Sequence, residues 1–270
     1  MECREATSES HTGVWIKDVV LETVNTIGRP RISAVVCDST GNTRVSRRHF
    51  VIEVPTALNL ADIVHHINNT LKDIVKLPYF QNTIKTVRAV ITKFHTTASH
   101  LATAELKAAR KVLRTGPGLE AIGKTRFGTV ILSSISVQRT IPAIKRVVQN
   151  GKFDLEELAV NFQPHASRST MDFEFNLAQL VDVGTPAVKA LACLEANEST
   201  ASDVFIFWHA MLQAIKDVIT DPQREFPNEI QQQIFGILNS RHRELFEDGN
   251  LSNRVYLAAT YLDSSEYFSS

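Results

Sequence analysis

At 270 residues the chain can bury roughly three quarters of its unfolded surface, in one large domain or two smaller ones. The 43% hydrophobic content is ordinary for a globular protein, no run of about 18 apolar residues is present, and the polar start Met1-Glu-Cys-Arg-Glu5 lacks the core of a secretion signal. Membrane-spanning and secreted classes are thereby excluded and an intracellular protein is expected, while the net charge of zero conceals a strong internal partition.

Residues 1–10 are polar and read as a disordered start. From Thr12 to Ile27 the apolar positions Trp15, Ile16, Val19, Val20, Val24 and Ile27 keep a helical period, and Gly28 and Pro30 end the helix. The β-branched run 32–37 reads as a buried strand that delivers Asp38 to its carboxyl end. A helix over 41–53 follows, with Arg44, Arg47 and Arg48 on its solvent face and Pro55 behind it. Leu58-Asn-Leu60 reads as a second short strand, which makes a parallel strand–helix–strand unit.

Beyond Asp62 the pattern is helical. Ile63, Ile67, Leu71 and Ile74 mark one stripe; Phe80, Ile84, Val87, Ile91 and Phe94 mark the next. An Ala/Lys/Arg-rich helix from about Ser99 to Arg114 stops at Gly116-Pro117-Gly118. Another spans about 130–148, with Pro142 kinking or dividing it. Gln163–Thr170 reads as the longest loop. Three further helices are marked by Phe173, Leu177, Leu180, Val181, Gly184, Val188 and Leu191, then by Val204 to Val218, then by Ile230 to Leu245. Cys3, Cys37 and Cys193 have no metal-ligand spacing, and apolar neighbours place Cys37 and Cys193 in the core.

Charge divides the chain into three. Residues 1–62 carry 7 Lys and Arg against 8 Asp and Glu, residues 63–151 carry 14 against 3, and residues 152–270 carry 8 against 18. Either the middle stretch meets a polyanion such as DNA, or the basic and acidic stretches neutralise each other.

Four motifs carry possible chemistry. Asp38 lies where open α/β sheets bind metals or phosphate-bearing substrates, and equally where an N-cap is needed. Asp38-Ser-Thr-Gly41 also has the form of an aspartyl-phosphate loop, without a recognisable lysine and second Asp. Asp62-Ile-Val-His65 spaces a carboxylate and an imidazole three apart, as a metal or base pair or as a helix cap. Lys124-Thr-Arg126-Phe127 sets cations around an aromatic, suited to base stacking with phosphate contact or to a core Phe with solvated flanks. Gly118 to Thr125 satisfies the phosphate-loop pattern, but a charged helix precedes it and its interior is helix-forming, so the match is read as chance.

Taken together, "SHTGVWIKDVV", "VVCDSTGNT", "LNLADIVHHINNTLKDIVKLPYF", "IGKTRFGT" and "IPAIKRVV" resemble the RNase H-like region of hAT transposase-derived proteins. The likeness is to fungal members carrying the associated domain of unknown function. It covers about residues 10–150 and continues more loosely to "FGILNSRHRELF" and "RVYLAATYLD". The resemblance implies two divalent metal ions, Mg²⁺, held by three carboxylates. By position Asp38 matches the second catalytic Asp, and Asp62 and His65 match the Cys/Asp-x-x-His motif. Phe127, beside Lys124 and Arg126, stands where many members have a Trp that stacks on a flipped base. The first Asp would precede Met1 and the catalytic Glu would follow Ser270. Asp38 alone would bind Mg²⁺ weakly.

The expectation is therefore an α/β, predominantly helical chain: a partial RNase H-like core at 11–62, a basic helical segment at 63–151 that begins an all-α insertion, and an acidic helical segment at 152–270. The expected function is that of a truncated, domesticated, catalytically inactive transposase derivative that binds DNA, in the nucleus, with a full-length hAT relative as a further partner and no membrane association. Two alternatives stand: a helical protein-interaction scaffold, or a metal-dependent strand-transferase or nuclease whose acidic site is rebuilt by folding.

Overall fold

Thr12 accepts a hydrogen bond from the Trp15 amide on its hydroxyl and so starts α1, Gly13–Ile27. Gly28, at φ +102°, ends α1 in a conformation that glycine alone adopts without strain. In the computed structural model, which describes residues 10–38, 40–96, 100–123, 126–151, 156–163, 167–196 and 198–263, strand β1 (Ala34–Cys37) follows after one 3₁₀ turn. Next come α2 (Gly41–Glu53), β2 (Leu58–Ala61), α3 (Ile63–Val75), α4 (Pro78–His95), α5 (His100–Leu113) and α6 (Gly128–Gln149). A short α7 (Glu156–Ala159) precedes α8 (Arg168–Leu194), α9 (Ala201–Thr220), α10 (Asn228–Phe246) and α11 (Arg254–Leu262). The fold is predominantly helical with a two-stranded parallel sheet, Ala34 pairing Leu58 and Cys37 pairing Ala61.

The chain forms two compact units that do not follow the three charge segments. One comprises Met1–Ile67, Leu194–Ile206 and Asn239–Ser270; the other comprises Asn68–Cys193 and Phe207–Leu238. The crossing of the charge boundaries at 62 and 151 by these units is a property of the folded chain. Its cause is non-local pairing: Ser252 donates its amide to the Asn59 carbonyl (2.8 Å), its hydroxyl accepts from the Asn59 amide (3.0 Å), and the acidic tail thus closes the outer edge of β2.

In the first unit Leu21 and Val24 of α1 pack on Phe50, Val54 and Ala57, with Val35 of β1 against them. The Asn42 side-chain amide donates to the His11 carbonyl (2.8 Å), fixing the start of α2 beside the start of α1. Phe205, Phe246 and Tyr256 stack edge to face at 6.0 and 6.1 Å. The second unit buries Val87, Ile91 and Phe94 of α4 against Leu106 of α5, Ile144 of α6 and Leu177 of α8. Pro142 and Pro186 lie inside α6 and α8 without dividing them.

Two further expectations are corrected. Helix α8 begins at Arg168, which takes 168–170 out of the loop expected over 163–170, and residues 164–166 of that stretch lie outside the described residues. Cys193 is exposed near the end of α8, because its position faces away from the stripe that buries Leu177, Leu180 and Ala187, while Cys37 is only half-buried. One described helix, α8, is long and apolar enough by length and composition to cross a membrane, though half of its most apolar window is buried within the fold, as in a core helix.

Candidate functional site

The carboxyl end of the parallel strands gathers Cys37, Asp38, Asp62 and His65. Asp38 Oδ1 accepts from the Thr43 hydroxyl (2.6 Å), the Thr40 hydroxyl (3.2 Å) and the Thr40 amide (3.4 Å). The last is an Asx turn that leads into α2. Above all the Thr43 bond, then the Thr40 contacts and the nearby His65 charge, hold the Asp38 carboxyl below its ordinary value, against a partial desolvation that works the other way. Asp62 Oδ1 accepts from the His65 amide (3.1 Å), while the Asp62 amide donates to the Cys37 carbonyl (3.3 Å) at the end of the ladder. Within the Asp62-x-x-His65 motif, the hydrogen bond is therefore made by the His65 backbone, and the carboxylate caps α3. Burial pushes the Cys37 thiol up, partly offset by the charge of Arg47 beside it.

Arg47 is the residue that sequence reasoning misplaced. It is 2% exposed, not on the solvent face, and its Nη1 donates to the Asn59 side-chain oxygen (3.1 Å) and to the Leu60 carbonyl. The signal was present in the spacing, because Thr43, Arg47, Phe50 and Val54 lie on one helical face and the last three are buried. Two other residues were missed. His66 is buried, with Nε2 2.7 Å from the Arg241 carbonyl and burial pushing its imidazole pKa down. Tyr256 is buried beside Arg47 and Asp62, with burial pushing its phenol up to about 12.

The donor set does not fit a pair of Mg²⁺ ions. Asp38 is engaged by the turn that leads into α2 and Asp62 caps α3, and among the described residues no group of three or more His, Cys, Asp and Glu side chains is placed to hold a metal. What the arrangement does do is anchor the turn into α2 electrostatically. The Asp38 pKa is lower folded than unfolded, so the stability it contributes is fully present above its ordinary value of 3.8 and is lost as pH falls through its folded value. Asp38→Asn is expected to flatten the acid limb of melting temperature against pH below about pH 4. Identical limbs in the two proteins would show that the carboxylate charge does not anchor the turn.

The second cluster lies on the basic stretch. Lys124 lies outside the described residues. Arg126 is exposed, and its carbonyl accepts from the Thr129 hydroxyl (2.6 Å). Phe127 is half-buried; its amide donates to the Asn68 side chain (2.8 Å), and the Lys72 ammonium sits 5.7 Å from its ring centroid. Phe127 is thus pinned to α3 with a cation already over its ring.

The larger cationic surface is on α5. Lys107, Lys111 and Arg114 follow at intervals of four and three, so they stand along one side of the helix and just past its end, and all three are exposed. None has a carboxylate within ion-pair distance among the described residues. Cations near a helix carboxyl end also favour the unsatisfied carbonyls there, which accounts for part of the pattern. Behind the stripe, Arg110 Nη2 donates to the Gly116 carbonyl (2.6 Å) and Arg139 Nη2 to the Gly118 carbonyl (3.2 Å), which fixes the turn that follows α5. No family model, no curated protein and no solved structure matches the chain, so the hAT resemblance rests on the quoted residues alone.

Proposed function

We propose that this protein binds nucleic acid through its basic helical stretch, as a hAT transposase-derived chain that keeps part of an RNase H-like core around β1, α2 and β2 and no longer transfers strands. The observation that carries the reading is the exposed stripe of Lys107, Lys111 and Arg114, which pairs with no carboxylate among the described residues. Each phosphate contact by such a cation releases condensed counterions, which makes binding salt-dependent and largely indifferent to sequence. What supports the loss of strand transfer is that Asp38 holds the turn into α2 and Asp62 caps α3, with no third acid grouped beside them among the described residues.

The triple variant Lys107→Gln, Lys111→Gln, Arg114→Gln is expected to weaken DNA binding about tenfold at 0.1 M salt and to make the salt slope shallower by about 2 to 3. Fluorescence anisotropy over a salt series reads both. Wild-type affinity that is undetectable or unchanged by salt overturns the reading. The scaffold alternative draws on one observation, the Lys145–Glu174 pair (2.6 Å), in which a cation of the basic stretch is met by an acid of the acidic one. The same titration separates the two, since a scaffold shows no affinity for DNA at any salt.

A further inference from the structure

Beside the cationic stripe lies a groove whose form phosphate contact alone does not use. It encloses about 380 Å³ between the end of α4, the middle of α5 and the turn at Gly118. Its floor is apolar, with Phe94 and Leu106 buried and Leu119 half-buried. Its rim is cationic: Lys107 is exposed at one side, and the half-buried Arg110 forms the wall with the exposed His95 nearby. Arg110 is held in place by the Gly116 carbonyl, so the wall presents a guanidinium of fixed position.

A duplex keeps its bases stacked inside and offers a concave site only its ridge of phosphates. An unstacked nucleotide offers two surfaces at once: a flat, weakly polar base for the floor and a phosphate for the rim. The volume falls toward the low end of small-molecule sites, which run from about 300 to 1,000 Å³, and suits one base with its sugar better than a base pair. Resting on the nucleic-acid reading above, we infer that this groove takes an unpaired nucleotide, so that the protein binds single strands in preference to duplex. Lys107 and Arg110 then hold the phosphate while Phe94, Leu106 and Leu119 carry the base.

The test compares a short labelled oligothymidine with a duplex of the same length, on the full chain at one salt concentration. The single strand is expected to bind about tenfold more tightly, as the packing of one base on an apolar floor allows. Thr103 lines the groove and is exposed, with its hydroxyl donating to the Phe94 carbonyl (2.7 Å), and Thr103→Phe gives up that one bond to fill the space. This variant is expected to lose the preference while keeping the duplex affinity. A second measurement does not depend on any variant folding: an oligonucleotide carrying 5-iododeoxyuridine is photo-crosslinked and the modified peptide mapped, with residues 94–119 expected. Equal affinity for both forms, or crosslinks that map elsewhere, overturns the groove and leaves the basic-surface reading standing. Absence of binding to either form overturns both.

Discussion

Replacing Arg47 with alanine is expected to destabilise the first unit by about 3 kcal/mol, read as a lower urea midpoint at unchanged slope. The size follows from what the guanidinium holds. It is 2% exposed and donates to both the Asn59 side chain and the Leu60 carbonyl. Asn59 in turn donates its side-chain amide to the Asn250 carbonyl and pairs through its backbone with Ser252. Removing Arg47 therefore strips two buried acceptors of their donor, opens a cavity under the sheet, and loosens the contact by which the chain's end closes β2. Methionine separates the contributions. Arg47→Met keeps the stem volume and removes a cation that burial penalises and whose Nε–H has no acceptor, so it should cost clearly less than alanine. If methionine proves as damaging as alanine, lost volume is not the issue and the hydrogen bonds to β2 carry the whole effect. If neither variant shifts the midpoint, the network does not stabilise the unit.

Arg47 also marks where sequence reading stops. Helix limits were legible wherever apolar period and end signals agreed: Thr12 and Gly28 bracket α1, and α2 runs over 41–53 as the pattern implies. The parallel strand pair was legible from β-branched composition and turn formers. An arginine, however, was assigned to solvent by its charge when its place in the helical period put it inward with Phe50 and Val54. Burying it needs acceptors, and those come from β2, whose side-chain and carbonyl positions no local pattern reveals. The return of residues 250–252 to β2 was invisible for the same reason, since it spans about 190 positions with no local signature. At the candidate site, the residues at 38, 62 and 65 do lie together at the carboxyl end of the strands, and the capping alternative was already available for each. What spacing could not convey was that Asp62 would meet the His65 amide and Asp38 the Thr40 and Thr43 groups. The α5 cations were legible as a charge excess, but their exposure along one side of α5 was not.

Gly184→Val is expected to cost the second unit about 3 kcal/mol, although valine is the better fit to the apolar stripe in which position 184 stands. A Cβ at position 184 would lie 2.4 Å from Ile131 Cδ1, 2.6 Å from Cγ1 and 3.0 Å from Cγ2. Both branches of the isoleucine are thus in the way, and Ile131 is fully buried, so no rotamer clears the space. Helix α8 keeps glycine here so that α6 can approach it, and Gly128 at the start of α6 lies against Val188 and Leu191, one and two turns further along. Removing the conflicting side chain should therefore reverse the penalty. Ile131→Ala alone leaves a cavity and costs about 3 kcal/mol, whereas the pair Ile131→Ala with Gly184→Val fills that cavity from the other helix and should cost much less than the two singles together. A double-mutant cycle by urea denaturation gives the coupling directly. Additive losses would mean that α6 and α8 do not meet at these positions, and the packing of the second unit would have to be redrawn around a different seam.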